Sequence, residues 1–181
     1  MSKEVEMKVL VAYYSESGNT EKVARAIYEG LGFVEKKLAS IKDTPRSAQF
    51  DVIFVGFPVQ NHSVPSMVEK FLKRIPAGKK VALFATHGSL RGGELAVTAF
   101  FYAVSLTANK TVLGTFGCRG KVRPKMLEAL MKRPQDKFWA LEAQSRLRQS
   151  GRGRPRGCEE VGLLDAHESA SLTVILKSGH P

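Results

Sequence analysis

The sequence predicts a three-layer α/β/α domain built on a five-stranded parallel sheet. Short apolar, β-rich runs alternate with helically spaced segments from residue 8 to residue 148. The clearest runs are apolar at every position rather than at alternate ones, as strands covered on both faces must be. Successive strands are separated by helical segments, which implies βαβ units and a parallel sheet between two helix layers.

Lys8 to Tyr14 (KVLVAYY) is the first buried strand. Glu21 to Leu31 follows as a helix, because Val23, Ala24, Ile27, Tyr28 and Leu31 share one face at 3.6-residue spacing. Gly30 and Gly32 stand where that helix can end. Phe33 to Leu38 is a weaker strand and Asp51 to Phe57 (DVIFVGF) a strong one. Pro65 suits the first turn of a helix reaching Arg74, with Ser63 as its cap. Lys80 to Ala85 is the next strand, Glu94 to Ala108 a largely apolar helix, and Thr111 to Phe116 the last strand. Pro124 to Lys132 and Pro134 to Arg148 read as two further helical stretches.

The character changes at about Ser150. Gly151 to Gly157 (GRGRPRG) suits neither a helix nor a central strand. The chain therefore divides into a domain over residues 1–148 and an irregular, basic, Gly- and Pro-containing tail over residues 149–181. Three readings of that tail stand open: a disordered extension, a partner-binding arm, or the product of an altered reading frame.

Composition narrows the function classes. A hydrophobic content of 43% is enough for a full core. No stretch approaches the roughly 18 apolar residues of a membrane span. Met1 to Glu6 mixes both charges and lacks the apolar region of a signal peptide. Cys118 and Cys158 form neither a CxxC pair nor a metal-ligand cluster. Free thiols in a reducing cytoplasm, and no metal, are expected. The net charge is +11, yet only Arg146 to Arg156 is densely basic, and that run has no aromatic residue to stack a base. An acidic protein partner fits this charge better than specific nucleic-acid binding.

The first strand leads directly into Ser15-Glu16-Ser17-Gly18-Asn19-Thr20, and a helix follows. In open α/β sheets, ligands bind beyond the carboxyl ends of the strands. A helix start there presents backbone N–H groups and the positive end of the dipole, which suit a phosphate dianion. Ser15, Ser17 and Thr20 add hydroxyls, and Gly18 admits close backbone approach. The same residues also suit a plain turn and cap; the flanking strand and helix favour the phosphate reading. There is no Gly-Lys-Ser/Thr loop for a nucleoside triphosphate and no GxGxxG for a dinucleotide. A single terminal phosphate is the better match.

Residues Val11 to Thr20 (VAYYSESGNT) resemble the FMN phosphate-binding signature of the flavodoxin family. The resemblance spans roughly residues 7 to 135, with Ala12 smaller than the residue usual there. It implies a flavodoxin-like fold and FMN as cofactor. By position it gives the ring-flanking roles to Pro58, Val59, Gln60, Asn61, His62 and Ser63, and to Thr86, His87, Gly88, Ser89, Arg91, Gly92 and Gly93. Family members often stack an aromatic residue on the flavin, whereas neither loop here contains Trp or Tyr. Arg91 in the second loop, on a basic chain, implies a less reducing flavin than in acidic flavodoxins, because a cation stabilises the anionic reduced ring.

Three function classes are compatible with this reading. The first is single-electron transfer between FMN and redox partner proteins. The second is an FMN-dependent oxidoreductase acting from NAD(P)H on a quinone or another small acceptor. The third is a flavin-free receiver-like signalling module. The third needs carboxylates at the strand ends, where Tyr13-Tyr14 and Phe57-Pro58 stand instead, so it ranks behind the other two.

Overall fold

The computed structural model describes residues 7–88, 94–120 and 132, with the backbone alone of 94 and 95. Five strands and three α-helices alternate through it: β1 (Lys8–Tyr13), α1 (Asn19–Gly30), β2 (Glu35–Ser40), β3 (Val52–Pro58), α2 (Ser66–Arg74), β4 (Lys80–His87), α3 (Glu94–Ser105) and β5 (Thr111–Arg119). All neighbouring strands are parallel, in the order β2-β1-β3-β4-β5. The chain reverses its direction of travel across the sheet between β1 and β3. That is the switch point where such sheets open a crevice.

Alternation along each strand decides which helix layer a side chain meets. Val9 and Val11 face α1, joining Val23, Ala24 and Ile27 with Val52, Phe54 and Phe84. Leu10 and Ala12 face the opposite layer, with Ile53, Val55, Phe57 and Leu83, under Val68, Phe71 and Leu72 of α2 and Ala99 and Ala103 of α3. Two cores on opposite faces of one sheet account for the all-apolar runs of β1 and β3. Phe57 meets Phe100 of α3 edge to face, with ring centroids 6.0 Å apart. The edge strand β2 is polar by comparison and is tied to β1 through a Lys8–Glu35 ion pair of 2.9 Å. Both of its partners are well exposed, so it contributes little to stability.

The fold class matches expectation, and the differences sit at element ends. α1 begins at Asn19 rather than Glu21, because Gly18 in the left-handed region turns the chain straight into the helix. β4 and β5 run on to His87 and Arg119, since Ala85↔Gly117, Thr86↔Cys118 and His87↔Arg119 continue their pairing. Ser63 does not cap α2; its backbone is bonded to Gln60 instead. Phe33 is fully exposed and precedes β2. Cys118 lies inside β5 rather than after it. The expected helices over 124–132 and 134–148 lie outside the described residues, Lys132 excepted, as do Cys158 and the boundary between residues 148 and 149.

Candidate functional site

Four strand ends are stitched together at the carboxyl edge of the sheet. The Tyr14 amide donates to the Gly56 carbonyl at 2.9 Å, the Val59 amide to Thr86 at 2.8 Å, and the Gly120 amide to His87 at 3.0 Å. Each bond prolongs a β-ladder by one step, so the segments leaving β1, β3, β4 and β5 start side by side.

The segment leaving β1 is Ser15 to Thr20. Gly18 has φ 84° and ψ −10°, and no side chain caps the start of α1. The Lys22 amide donates to the Gly18 carbonyl at 3.0 Å, so the amides of Asn19, Thr20 and Glu21 precede that helical bond and point out along the axis. Ser15 Oγ accepts from the Gly18 amide at 3.0 Å, and Ser17 Oγ accepts from Asn19 Nδ2 at 3.1 Å. A hydroxyl used as an acceptor keeps its own proton to donate, so both serines retain a donor for a ligand oxygen. Glu16, the acid of the loop, accepts from the Tyr14 hydroxyl at 2.8 Å. That bond holds the half-buried tyrosine above its ordinary pKa. Amides and hydroxyls at the positive end of a helix make a donor-rich array, which fits a phosphate dianion.

Thr20 takes a different part from its neighbours. Its side chain is buried, and its hydroxyl lies 2.8 Å from that of Thr86 at the end of β4. This contact fixes the start of α1 against the sheet. Thr86→Val should leave the Thr20 hydroxyl without this partner and lower stability by about 1–3 kcal/mol. Thr20→Val combined with Thr86→Val should recover most of that loss. Urea denaturation of the two single variants and the double variant measures the coupling.

Pro58, read from the sequence as a loop residue, is the last residue of β3, and the segment after it closes into a tight turn. Gln60 and Ser63 exchange backbone bonds of 3.1 and 2.8 Å. Between them, Asn61 (φ 46°) and His62 (φ 62°) both occupy the left-handed region. This is the two-residue reverse turn of a hairpin, in which Asn is favoured first and Gly second. His62 in the second place costs about 1–2 kcal/mol of backbone strain. The turn holds Asn61 and His62 out into solvent, while Val59 packs on the core.

Thr86 and His87 belong to β4 rather than to a loop, and both are buried. The His87 ring reaches over β5: its Nε2 lies 3.5 Å from where a Cβ on Gly117 would stand. Gly88 follows in the open, and Ser89, Arg91, Gly92 and Gly93 lie outside the described residues.

The end of β5 from Gly117, with Gly120 after it, also contributes to this edge, as its place after the last apolar run of the sequence implies. A Cβ on Gly120 would come within 2.8 Å of Asn19 Nδ2, so the end of β5 lies against the phosphate-type loop. Arg119 sits in register with His87 and brings a guanidinium to the same edge. The available signal was the glycine directly after the strand, where another backbone comes close. Among the described residues no cluster of His, Cys, Asp and Glu is arranged to hold a metal ion.

A family model described as "Flavodoxin domain" matches residues 10–150 of the chain. Over 121 residues the chain is 30% identical to the flavodoxin-like domain-containing protein BilS of Clostridioides difficile (strain CD3), covering 64% of this chain and 68% of that protein. An archaeal flavodoxin superposes with a TM-score of 0.51 at 22% identity, covering 78% of this chain and 99% of its own. A flavoprotein of Lactobacillus acidophilus, solved in complex with FMN, gives a TM-score of 0.51 at 18% identity, covering 61% and 93% of the two chains.

Proposed function

The chain belongs to the flavodoxin family, and from that premise we propose that it binds FMN and passes electrons between the flavin and redox partner proteins. The observation that supports this most directly is the start of α1, without a side-chain cap and flanked by two serine hydroxyls, at the carboxyl end of β1. Ser15 and Ser17 would hold the phosphate through their hydroxyls and Asn19 and Thr20 through their backbone amides, while Gly18, whose amide donates to Ser15 Oγ, admits the close approach. Pro58 to Ser63, with Thr86 to Gly93, would border the ring. FMN bound there would supply reversible one- and two-electron chemistry. The residues of this chain would orient the ring and shield it from water.

The basic balance of the chain selects acidic partners, with association that weakens as salt rises. A second reading, reduction of a quinone or other small acceptor from NAD(P)H, is favoured by the absence of Trp and Tyr from both ring-flanking loops, which leaves room beside the flavin. A cytoplasmic setting belongs to either reading. Among the described residues no helix is long and apolar enough to cross a membrane.

The test is titration of the purified chain with FMN and with riboflavin. FMN is expected to quench on binding and to give a yellow complex, and riboflavin, lacking the phosphate, to bind about a hundredfold more weakly. Equal affinity for the two flavins would defeat the phosphate assignment. NADH oxidation by the complex with a quinone present would move the reading from carrier to reductase.

A further inference from the structure

Helix α3 is inverted for a helix that faces water. Its small residues point inward: Ala96, Ala99 and Ala103 are buried against the sheet. Four of its larger apolar residues point outward, Phe101 exposed to 74%, Val97 to 42%, Val104 to 38% and Tyr102 to 37%, while Phe100 packs on Phe57. Val97, Phe101 and Val104 follow one another at i, i+4 and i+7, which makes one continuous stripe. No residue from Leu95 to Asn109 carries a charge. Surface helices normally place charge on the face opposite the core, and contiguous exposed apolar patches mark interaction sites.

The border of this stripe is cationic. The Lys73 ammonium and then the Tyr102 hydroxyl hold the Glu69 carboxyl below its ordinary range, which puts Tyr102 directly beside the outer face of α2. Lys73 binds Glu69 at 2.6 Å. Lys70, Lys73 and Arg74 are all exposed on that face, three cations against the single carboxylate of Glu69. The helix starts at Glu94, immediately after the second ring-flanking segment in sequence, so the stripe leads away from the proposed flavin mouth.

We propose that the outer face of α3 (Val97, Phe101, Tyr102 and Val104), with the cations of α2 along its border, is the docking surface for an acidic protein whose contact patch has an apolar centre. The proposal rests on the electron-transfer reading for the identity of that protein as the redox partner. Charge decides among the possible occupants. A second copy docked here would bring together two chains that each carry a net charge of +11. The basic run from Arg146 to Arg156 does not suit this border; the later segment with Glu159, Glu160, Asp165 and Glu168 is of the matching sign, and its docking here is an outcome of the test. An acidic rim around an apolar anchor meets both parts of the surface, giving hot-spot burial at the centre and steering at the edge.

The test uses the full-length chain with FMN added and two synthetic helical peptides as probes. Both peptides carry the same Leu/Phe stripe; one is flanked by Glu and the other by Lys. Amide-resolved NMR titration should show the Glu peptide perturbing residues 66–74 and 94–105, with the Lys peptide binding at least about tenfold more weakly. Phe101→Ser and, separately, Lys73→Glu should each weaken the Glu peptide by about tenfold. Both side chains are exposed, so the fold tolerates these changes. Equal binding of both peptides, perturbation confined to other surfaces, or no binding overturns the proposal. So does a dimer in sedimentation that Phe101→Ser dissociates, or a cross-link from residues 121–181 to α3. The titration needs no flavin, so a chain that fails to take up FMN defeats the electron-transfer reading while this measurement still decides the surface.

Discussion

Gly56→Ala is expected to lower the stability of the folded chain by about 3 kcal/mol, near the upper end of what overpacking usually costs. Gly56 lies in β3, paired on one side with Tyr13 of β1 and on the other with Phe84 of β4. A Cβ there would stand 2.1 Å from Cζ and 2.2 Å from Cε2 of the Phe84 ring. Real Cβ atoms do not approach carbon that closely, so the ring must move. Phe84 is itself fully buried, within the core formed by Val9, Val11 and Phe54 beneath α1. Interiors packed to crystal-like density leave it no free rotamer. The strands on both sides prevent β3 from backing away. Thermal unfolding should fall by about 10 °C for a domain of this size. A combined Gly56→Ala and Phe84→Leu variant should recover part of the loss, because the shorter side chain vacates the space. An unchanged denaturation midpoint for Gly56→Ala would mean that the ring does not sit over this glycine.

The same pair shows how far the sequence could be read. DVIFVGF is legible as a buried strand from its apolar run, and a glycine inside a strand marks close approach of another group. That the group is the ring of Phe84 depends on register, which is set by long-range pairing. β1 and β4 were legible for the reason that made β3 legible, since burial on two faces removes the alternation of polar residues, whereas the polar edge strand β2 gave only a weak signal. The strand ends were not legible. His87 and Arg119 are polar, so nothing local announces that β4 and β5 continue through them; their mutual pairing extends both strands. His87 was therefore read as a loop residue when it is a buried strand residue.

The phosphate-type loop was legible because its order is local: strand, small polar residues, glycine, helix. The division of labour within it was not. Thr20 and Ser17 look alike in sequence, yet Thr20 turns inward to Thr86, while Ser17 stays exposed and accepts from Asn19. The periodicity of α1 decides this, since Thr20, Val23, Ala24 and Ile27 are its buried residues. Ser63 misled for the opposite reason. A serine two residues before the first proline of a helix is a reasonable cap, but the reverse turn at Asn61-His62 ties its backbone to Gln60. The inversion of α3 was invisible as well. Its composition is simply apolar, and only the packing of its alanines reveals which side is outward.

Ser17→Glu should weaken FMN by about a hundredfold or more, since like charges brought together in a binding site cost several kcal/mol. Ser17 is exposed and precedes Gly18, the residue that turns the chain into α1. Its hydroxyl bonds only within the loop, to Asn19, so the substitution breaks no bond to the core. A carboxylate in that place gains from the dipole at the start of α1, by about 0.3–1 kcal/mol, and should leave the melting temperature level or slightly raised. Stability and FMN affinity therefore move in opposite directions, which a general loss of structure cannot produce. Riboflavin separates the cause further. Without a phosphate it meets no opposing charge, so its affinity should change by less than about threefold. A Ser17→Glu chain that keeps its full affinity for FMN would show that the phosphate does not lie at the start of α1. The ring-flanking assignments at Pro58–Ser63 and Thr86–Gly93 would then lose the anchor that orients them.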